Sequence, residues 1–140
     1  MDYLDTSVVV SALTNEVETK RVQRWLAERD RDSLAISDWV QVEFAAALAM
    51  KVRLGKLDSG QQAAIQASFD ALATRSFLSL VIGPASYRTA AGFASRHAAG
   101  LRAGDALHLA VAAEHGATLR TLDKRLAAAG VIVGAASELV

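Results

Sequence analysis

Four carboxylates stand where this sequence could do chemistry. Asp5 ends the opening run Met1-Asp2-Tyr3-Leu4 and precedes Thr6-Ser7. Glu43 sits between Val42 and Phe44, inside the otherwise apolar stretch from Trp39 to Met50. Asp105 follows Gly104 and opens Ala106-Leu107-His108-Leu109-Ala110, and Asp123 closes Thr118–Leu122 and precedes Lys124-Arg125. Taken singly, Asp5 and Asp123 read as helix N-caps, and Asp105 as a first-turn acid that complements the helix dipole. Glu43 resists that reading, because an unpaired carboxylate on a helix apolar nearly all round is costly. A buried arginine partner or a cation would resolve it. Taken together, carboxylates gathered in one place in an intracellular α/β chain suit a hard divalent cation such as Mg²⁺.

The elements that must position them follow from two alternating periodicities. Short β-rich runs fall at Tyr3–Val9, Leu34–Ser37, Phe77–Ile82, Thr118–Leu122 and Val131–Gly134. Helical spacing marks residues 16–30 and a helix through Trp39, Val42, Phe44 and Leu48, with Ser37 as its expected N-cap. Further helices are expected at 59–75, from Pro84 to about His97, at 105–115 ended by Gly116, and at Lys124–Ala129 closed by Gly130. Short, two-sidedly apolar strands between helices imply an α/β fold with a parallel sheet covered on both faces. Open parallel sheets bind ligands beyond the carboxyl ends of their strands, where Asp5 and Asp123 both fall.

At 140 residues, 52% of them hydrophobic and only one a proline, the chain can bury a core and is not a disordered segment. It has no cysteine, so disulfides and thiolate zinc sites are excluded and a reducing, cytoplasmic setting is expected. No apolar run is long enough to cross a bilayer, and Asp2 and Asp5 occupy the place of a signal peptide's basic start. Net charge is zero, but residues 1–50 carry nine acidic and five basic groups, and residues 51–140 carry six acidic and ten basic. An acidic site beside a basic rim would suit a polyanion held next to a cation.

The Asp5-Thr6-Ser7 opening, Glu43 about forty residues on, the segment from Leu101 to Ala110 around Asp105, and Thr121-Leu122-Asp123 together resemble the PIN-domain nucleases. Among these the chain is most similar to the VapC toxins of bacterial VapBC toxin–antitoxin pairs, and the likeness runs from residue 2 to about residue 134. The resemblance implies one PIN domain over residues 1–140, a three-layer α/β/α sandwich around a central parallel sheet of four or five strands. It implies Mg²⁺- or Mn²⁺-dependent cleavage of RNA, leaving 5′-phosphate and 3′-hydroxyl ends. It also implies a VapB-like antitoxin as partner, and a homodimer. On that reading Asp5 and Asp105 are direct metal ligands, while Glu43 and Asp123 bind a second metal or hold water. The ion would activate water and offset charge on the leaving oxygen.

Around the four acids, Thr6, Ser7 and Thr121 carry hydroxyls that could orient carboxylates or water, or serve only as turn and cap groups. Arg102, Arg120, Lys124 and Arg125 are candidate contacts to RNA phosphates. His108 shares a helical face with Asp105 but lies among apolar residues, which favours a core or supporting role over a ligand. Trp39 is expected in the core beneath Glu43's helix, and Trp25 partly exposed. Two other acidic-pocket folds fail on sequence. A receiver domain needs an aspartate at the end of the third strand, and Leu78–Gly83 has none. A haloacid-dehalogenase phosphatase needs Asp-x-Asp where this chain has Asp5-Thr6-Ser7. The remaining alternative is a PIN-like module that binds RNA or protein without cutting; four retained acids give it nothing, since carboxylates repel phosphate unless a cation intervenes.

Overall fold

The computed structural model describes all 140 residues. Five parallel strands, β1 (Asp2–Leu4), β2 (Leu34–Ser37), β3 (Leu78–Leu80), β4 (Thr118–Thr121) and β5 (Ser137–Leu139), form one sheet in the order β3-β2-β1-β4-β5. Seven α-helices connect them: α1 (Thr6–Leu13), α2 (Thr19–Ala27), α3 (Asp38–Arg53), α4 (Ser59–Arg75), α5 (Pro84–Ala94), α6 (Ala103–Glu114) and α7 (Lys124–Val133). Helices α1 to α4 pack on one another, α5 packs on α6, and α7 lies against β4 and β5. This is an α/β/α sandwich. Right-handed crossovers require the arrangement: β1 to β3 step outward one way, and the chain then returns past β1 to lay down β4 and β5. The strand order therefore reverses between β1 and β4, the crevice where open α/β sheets place their ligands.

Two of the expected strands are corrected. The Tyr3–Val9 run is a strand only to Leu4, and Thr6 onward is helix α1. Its β-branched Val8, Val9 and Val10 suggested a strand, but Asp5 caps the helix by accepting from the Ser7 N–H. All three valines are buried, so tertiary packing outweighs their weak helix propensity. Val131–Gly134 is likewise the end of α7, whose stop is Gly134 (φ 79°) rather than Gly130, and the fifth strand lies beyond it. Gly130 stays inside the helix because a Cβ there would collide with Ser137. The helix expected to reach His97 ends at Ala94, with a 3₁₀ turn at His97–Ala99.

The core is built from residues such as Tyr3, Leu4, Phe44, Phe69, Leu109 and Leu119, all fully buried. Phe44 of α3 stacks on Phe69 of α4 at 4.2 Å between ring centroids. These contacts fix α3, and so the position of Glu43. No helix is long and apolar enough to cross a membrane.

Candidate active site

The end of β1 turns directly into α1, and this junction holds Asp5 almost completely buried, at 4% exposure. One carboxylate oxygen accepts from the Ser7 backbone N–H and the other from the Thr121 hydroxyl at the end of β4. Thr121 Oγ1 in turn accepts from the Asp123 backbone N–H at 2.9 Å. Ser7 Oγ accepts from the Leu122 N–H at 3.0 Å. Two hydroxyls thus stitch the carboxyl ends of β1 and β4 together across the point where strand order reverses. Asp123 also caps α7, accepting from the Arg125 N–H at 2.7 Å and the Leu126 N–H at 3.3 Å.

Glu43 approaches from α3. Its Oε2 accepts from the Thr6 hydroxyl and from His108 Nε2, the latter at 2.7 Å. Burial alone would raise this carboxyl, but His108, by hydrogen bond and charge, together with Thr6 and Trp39, holds it below the ordinary range. The buried partner of Glu43 is thus a histidine, not the expected arginine. His108 is 2% exposed and its other ring nitrogen meets the Tyr3 hydroxyl. Trp39 is partly buried against the core, and its indole N–H is buried without an aligned acceptor. Gly104 is the close approach between α6 and α3: a Cβ there would lie 3.0 Å from Glu43 Oε1 and 3.3 Å from the Trp39 ring.

Asp105, in the first turn of α6, is set oppositely. Burial raises its carboxyl, the Arg102 backbone and His108 counteract this, and the negative charges of Asp123 and Glu43 push it further up. Asp105 and Asp123 share a small cavity of about 140 Å³ with Arg102, Arg125 and Leu101. Lys124 is exposed at the start of α7. Arg120 points elsewhere: its guanidinium bonds Asp2 at 2.8 Å, also pairs with Glu138, and lies 5.8 Å from the centre of the Trp25 ring.

The sequence reading did not pick out Tyr3 and Ser37 as parts of the site. Ser37 does occupy the N-cap position of α3, but makes no capping bond there and hydrogen-bonds the Tyr3 hydroxyl at 2.7 Å instead. The only available signal was a tyrosine in an otherwise apolar opening strand, since a buried phenol must find a partner.

The four acids offer hard oxygen donors, the type that Mg²⁺ and Mn²⁺ prefer. No three acidic or histidine side chains converge to form a ready-made cage. The donor set nevertheless fits such an ion, which keeps several waters and takes only one or two carboxylates from the protein. Asp105, raised by burial and then by its acidic neighbours, is a carboxylate that a cation would relieve.

The fold and this sheet edge define a class. The chain belongs to the PIN-domain family, whose model matches residues 3–132. No curated protein sequence matches it. Several solved structures are similar. FitAcB from Neisseria gonorrhoeae matches with a TM-score of 0.74 at 20% identity, over 98% of this chain and 96% of that one. VapBC2 from Rickettsia felis, solved bound to a DNA fragment from its promoter, gives 0.71 at 18%, over 100% and 99%. A toxin–antitoxin complex from Klebsiella pneumoniae gives 0.59 at 17%, over 88% and 87%.

Proposed function

We propose that this PIN-domain chain is a Mg²⁺- or Mn²⁺-dependent endoribonuclease acting as the toxin of a toxin–antitoxin pair in the cytoplasm. What supports the reading is that the Asp105 carboxyl feels the charges of Asp123 and Glu43, while Asp5 and the Asp123 backbone share the Thr121 hydroxyl at the reversal point between β1 and β4. On this reading Asp5 and Asp105 ligate the ion, and Glu43 and Asp123 hold a second ion or orient water. When bound, the ion supplies Lewis acidity, activating water and offsetting charge on the leaving 3′ oxygen. Thr6, Ser7 and Thr121 keep the carboxylates aimed, and Arg102, Arg125 and Lys124 draw the phosphate backbone toward them. Arg120, already committed to Asp2 and Glu138, holds β1, β4 and β5 together.

The partners follow from two further observations. Among the similar structures are VapBC2 and a toxin–antitoxin complex, which supports a cognate VapB-like antitoxin for this chain. Val42 and Met50 of α3 and Leu54 just past its end are exposed apolar groups of the kind that a homodimer would cover.

The deciding experiment is cleavage of total cellular RNA by wild type and Asp5→Asn, each with Mn²⁺, Mg²⁺ or EDTA. Metal-dependent cleavage that disappears in Asp5→Asn is expected. RNA bound tightly and cut by neither protein would favour the non-cutting module instead.

A further inference from the structure

A line of buried polar groups runs under the sheet edge and ends on Glu43. Ser37 Oγ lies 2.7 Å from the Tyr3 hydroxyl, the hydroxyl 2.9 Å from His108 Nδ1, and His108 Nε2 2.7 Å from Glu43 Oε2. Ser37 and Tyr3 are fully buried and His108 nearly so. The bond at the Glu43 end has a fixed direction. An ionised carboxylate can only accept, so Nε2 carries the proton it donates to Glu43. The other ring nitrogen, Nδ1, meets the Tyr3 hydroxyl, which in turn meets the Ser37 hydroxyl. Each group in the line has a hydrogen-bond partner.

The cost of this arrangement argues that it has a use. Tyr3 and His108 are surrounded by apolar core, and a phenylalanine and a leucine there would pack without any need for hydrogen bonds. What the polar line adds is a fixed end. His108 and Thr6 both bond Oε2 of Glu43, whereas Oε1 has only the unaligned Trp39 indole N–H near it. Oε1 lies against Gly104 at the start of α6, one residue before Asp105, whose carboxyl feels the Glu43 charge.

We infer that Ser37, Tyr3 and His108 form a strut that positions Glu43, holding Oε2 so that Oε1 is presented to a divalent cation at the acidic site. The inference rests on the metal-dependent reading above. His108 and Tyr3 are positioning residues, acting through Glu43 without touching the ion. Outer partners of this kind typically contribute about 10–100-fold in metal affinity.

The test is Mn²⁺ binding to the purified full chain, followed by calorimetry and by the electron paramagnetic resonance signal of free Mn²⁺, without RNA. His108→Ala should weaken binding by about 10-fold or more. Tyr3→Phe, which removes one oxygen and keeps the core filled, should weaken it by a smaller factor. His108→Gln, which can return an N–H donor to Glu43, should recover part of the loss. In a Glu43→Gln background, His108→Ala should add no further loss.

An equal loss in that background would overturn the strut, since His108 would then act without Glu43. So would unchanged Mn²⁺ affinity in Tyr3→Phe and His108→Gln, which also decide the matter if His108→Ala does not fold. If Glu43→Gln weakens binding and the strut variants do not, only the strut fails. If the wild-type chain binds no Mn²⁺, the metal-dependent reading fails with it.

Discussion

Glu43 and Asp105 reach the same sheet edge from different helices, and their surroundings set them in opposite states. Glu43 is held by a histidine and a threonine and is kept ionised below the ordinary carboxyl range. Asp105 makes no ion pair and is raised by burial and by its acidic neighbours. Asp5 sides with Glu43, since both its oxygens are occupied by protein donors. The site therefore has a preorganised half, built by hydrogen bonds within the fold, and a half whose Asp105 carboxylate has no paired cation. Such a division suits an ion that arrives with its own waters: one side fixes the geometry, and the other gains stability when the charge is supplied.

The largest expected effect tests the second half. Asp105→Asn and Asp5→Asn should each reduce RNA cleavage by about 100-fold or more, because direct ligands should exceed the 10–100-fold typical of outer partners. Mn²⁺ should raise the melting temperature of wild type by mass action. That rise should be missing in Asp105→Asn. A wild-type rise that persists in Asp105→Asn would remove Asp105 from the ligand set and dissolve the contrast.

The basic groups around the two halves offer a smaller effect. Arg125 shares the cavity of Asp105 and Asp123, while Arg120 is tied to Asp2 and Glu138. Arg125→Ala should weaken RNA binding and lower the salt slope of log K by about 1, as the loss of one phosphate contact does. Arg120→Ala should leave that slope unchanged and lower thermal stability. Equal slopes for the two variants would show that the cavity is not the phosphate track.

Much of this edge could be read from residue types, and what could not has identifiable causes. The four acids stood out because carboxylates next to apolar runs violate the usual burial pattern, and Asp5 and Asp123 could be placed at strand ends by their neighbours. The outer strands were less legible. Val8–Val10 looks like a strand by β-branching, and only the fold shows those residues buried inside a helix. The Val131–Val133 run misled in the same way, because α7 continues through Gly130, which Ser137 forces to remain small. The line from Ser37 through Tyr3 to His108 was invisible, since it spans 105 residues between Tyr3 and His108 and leaves no local pattern. Ser37 looked like a cap, and its hydroxyl is used elsewhere.

Asp123 separates a structural duty from a chemical one. As the N-cap of α7 it accepts two backbone N–H groups, and asparagine can do the same. Asp123→Asn should therefore keep the melting temperature near wild type while reducing cleavage. Asp123→Ala should reduce cleavage and also cost about 1 kcal/mol of stability through the lost cap. That corresponds to about 3–4 °C in a domain of this size. If both variants lose stability equally, the carboxylate's charge rather than its capping geometry supports α7.

The smallest effect is the one that distinguishes the two halves by sign. In EDTA at neutral pH, Glu43→Gln should lower the melting temperature and Asp105→Asn should raise it, each by about 1–3 °C, since both groups are partly solvated and screened. The pH dependence follows from linkage. Glu43's carboxyl is lower in the folded chain than its ordinary 4.5, so its contribution is complete above that value and is lost as pH falls through the folded one. Asp105's carboxyl is higher than its ordinary 3.8, so the folded chain binds its proton more tightly. Its penalty is absent below 3.8 and grows as pH rises through the folded value. The two variants should therefore diverge in melting temperature above about pH 5 and converge in acid. Saturating Mn²⁺ should then reverse the order for Asp105, because an ion bound to wild type stabilises the carboxylate that the asparagine lacks. Parallel curves for the two variants at every pH would mean that both carboxylates sit in the same electrostatic environment.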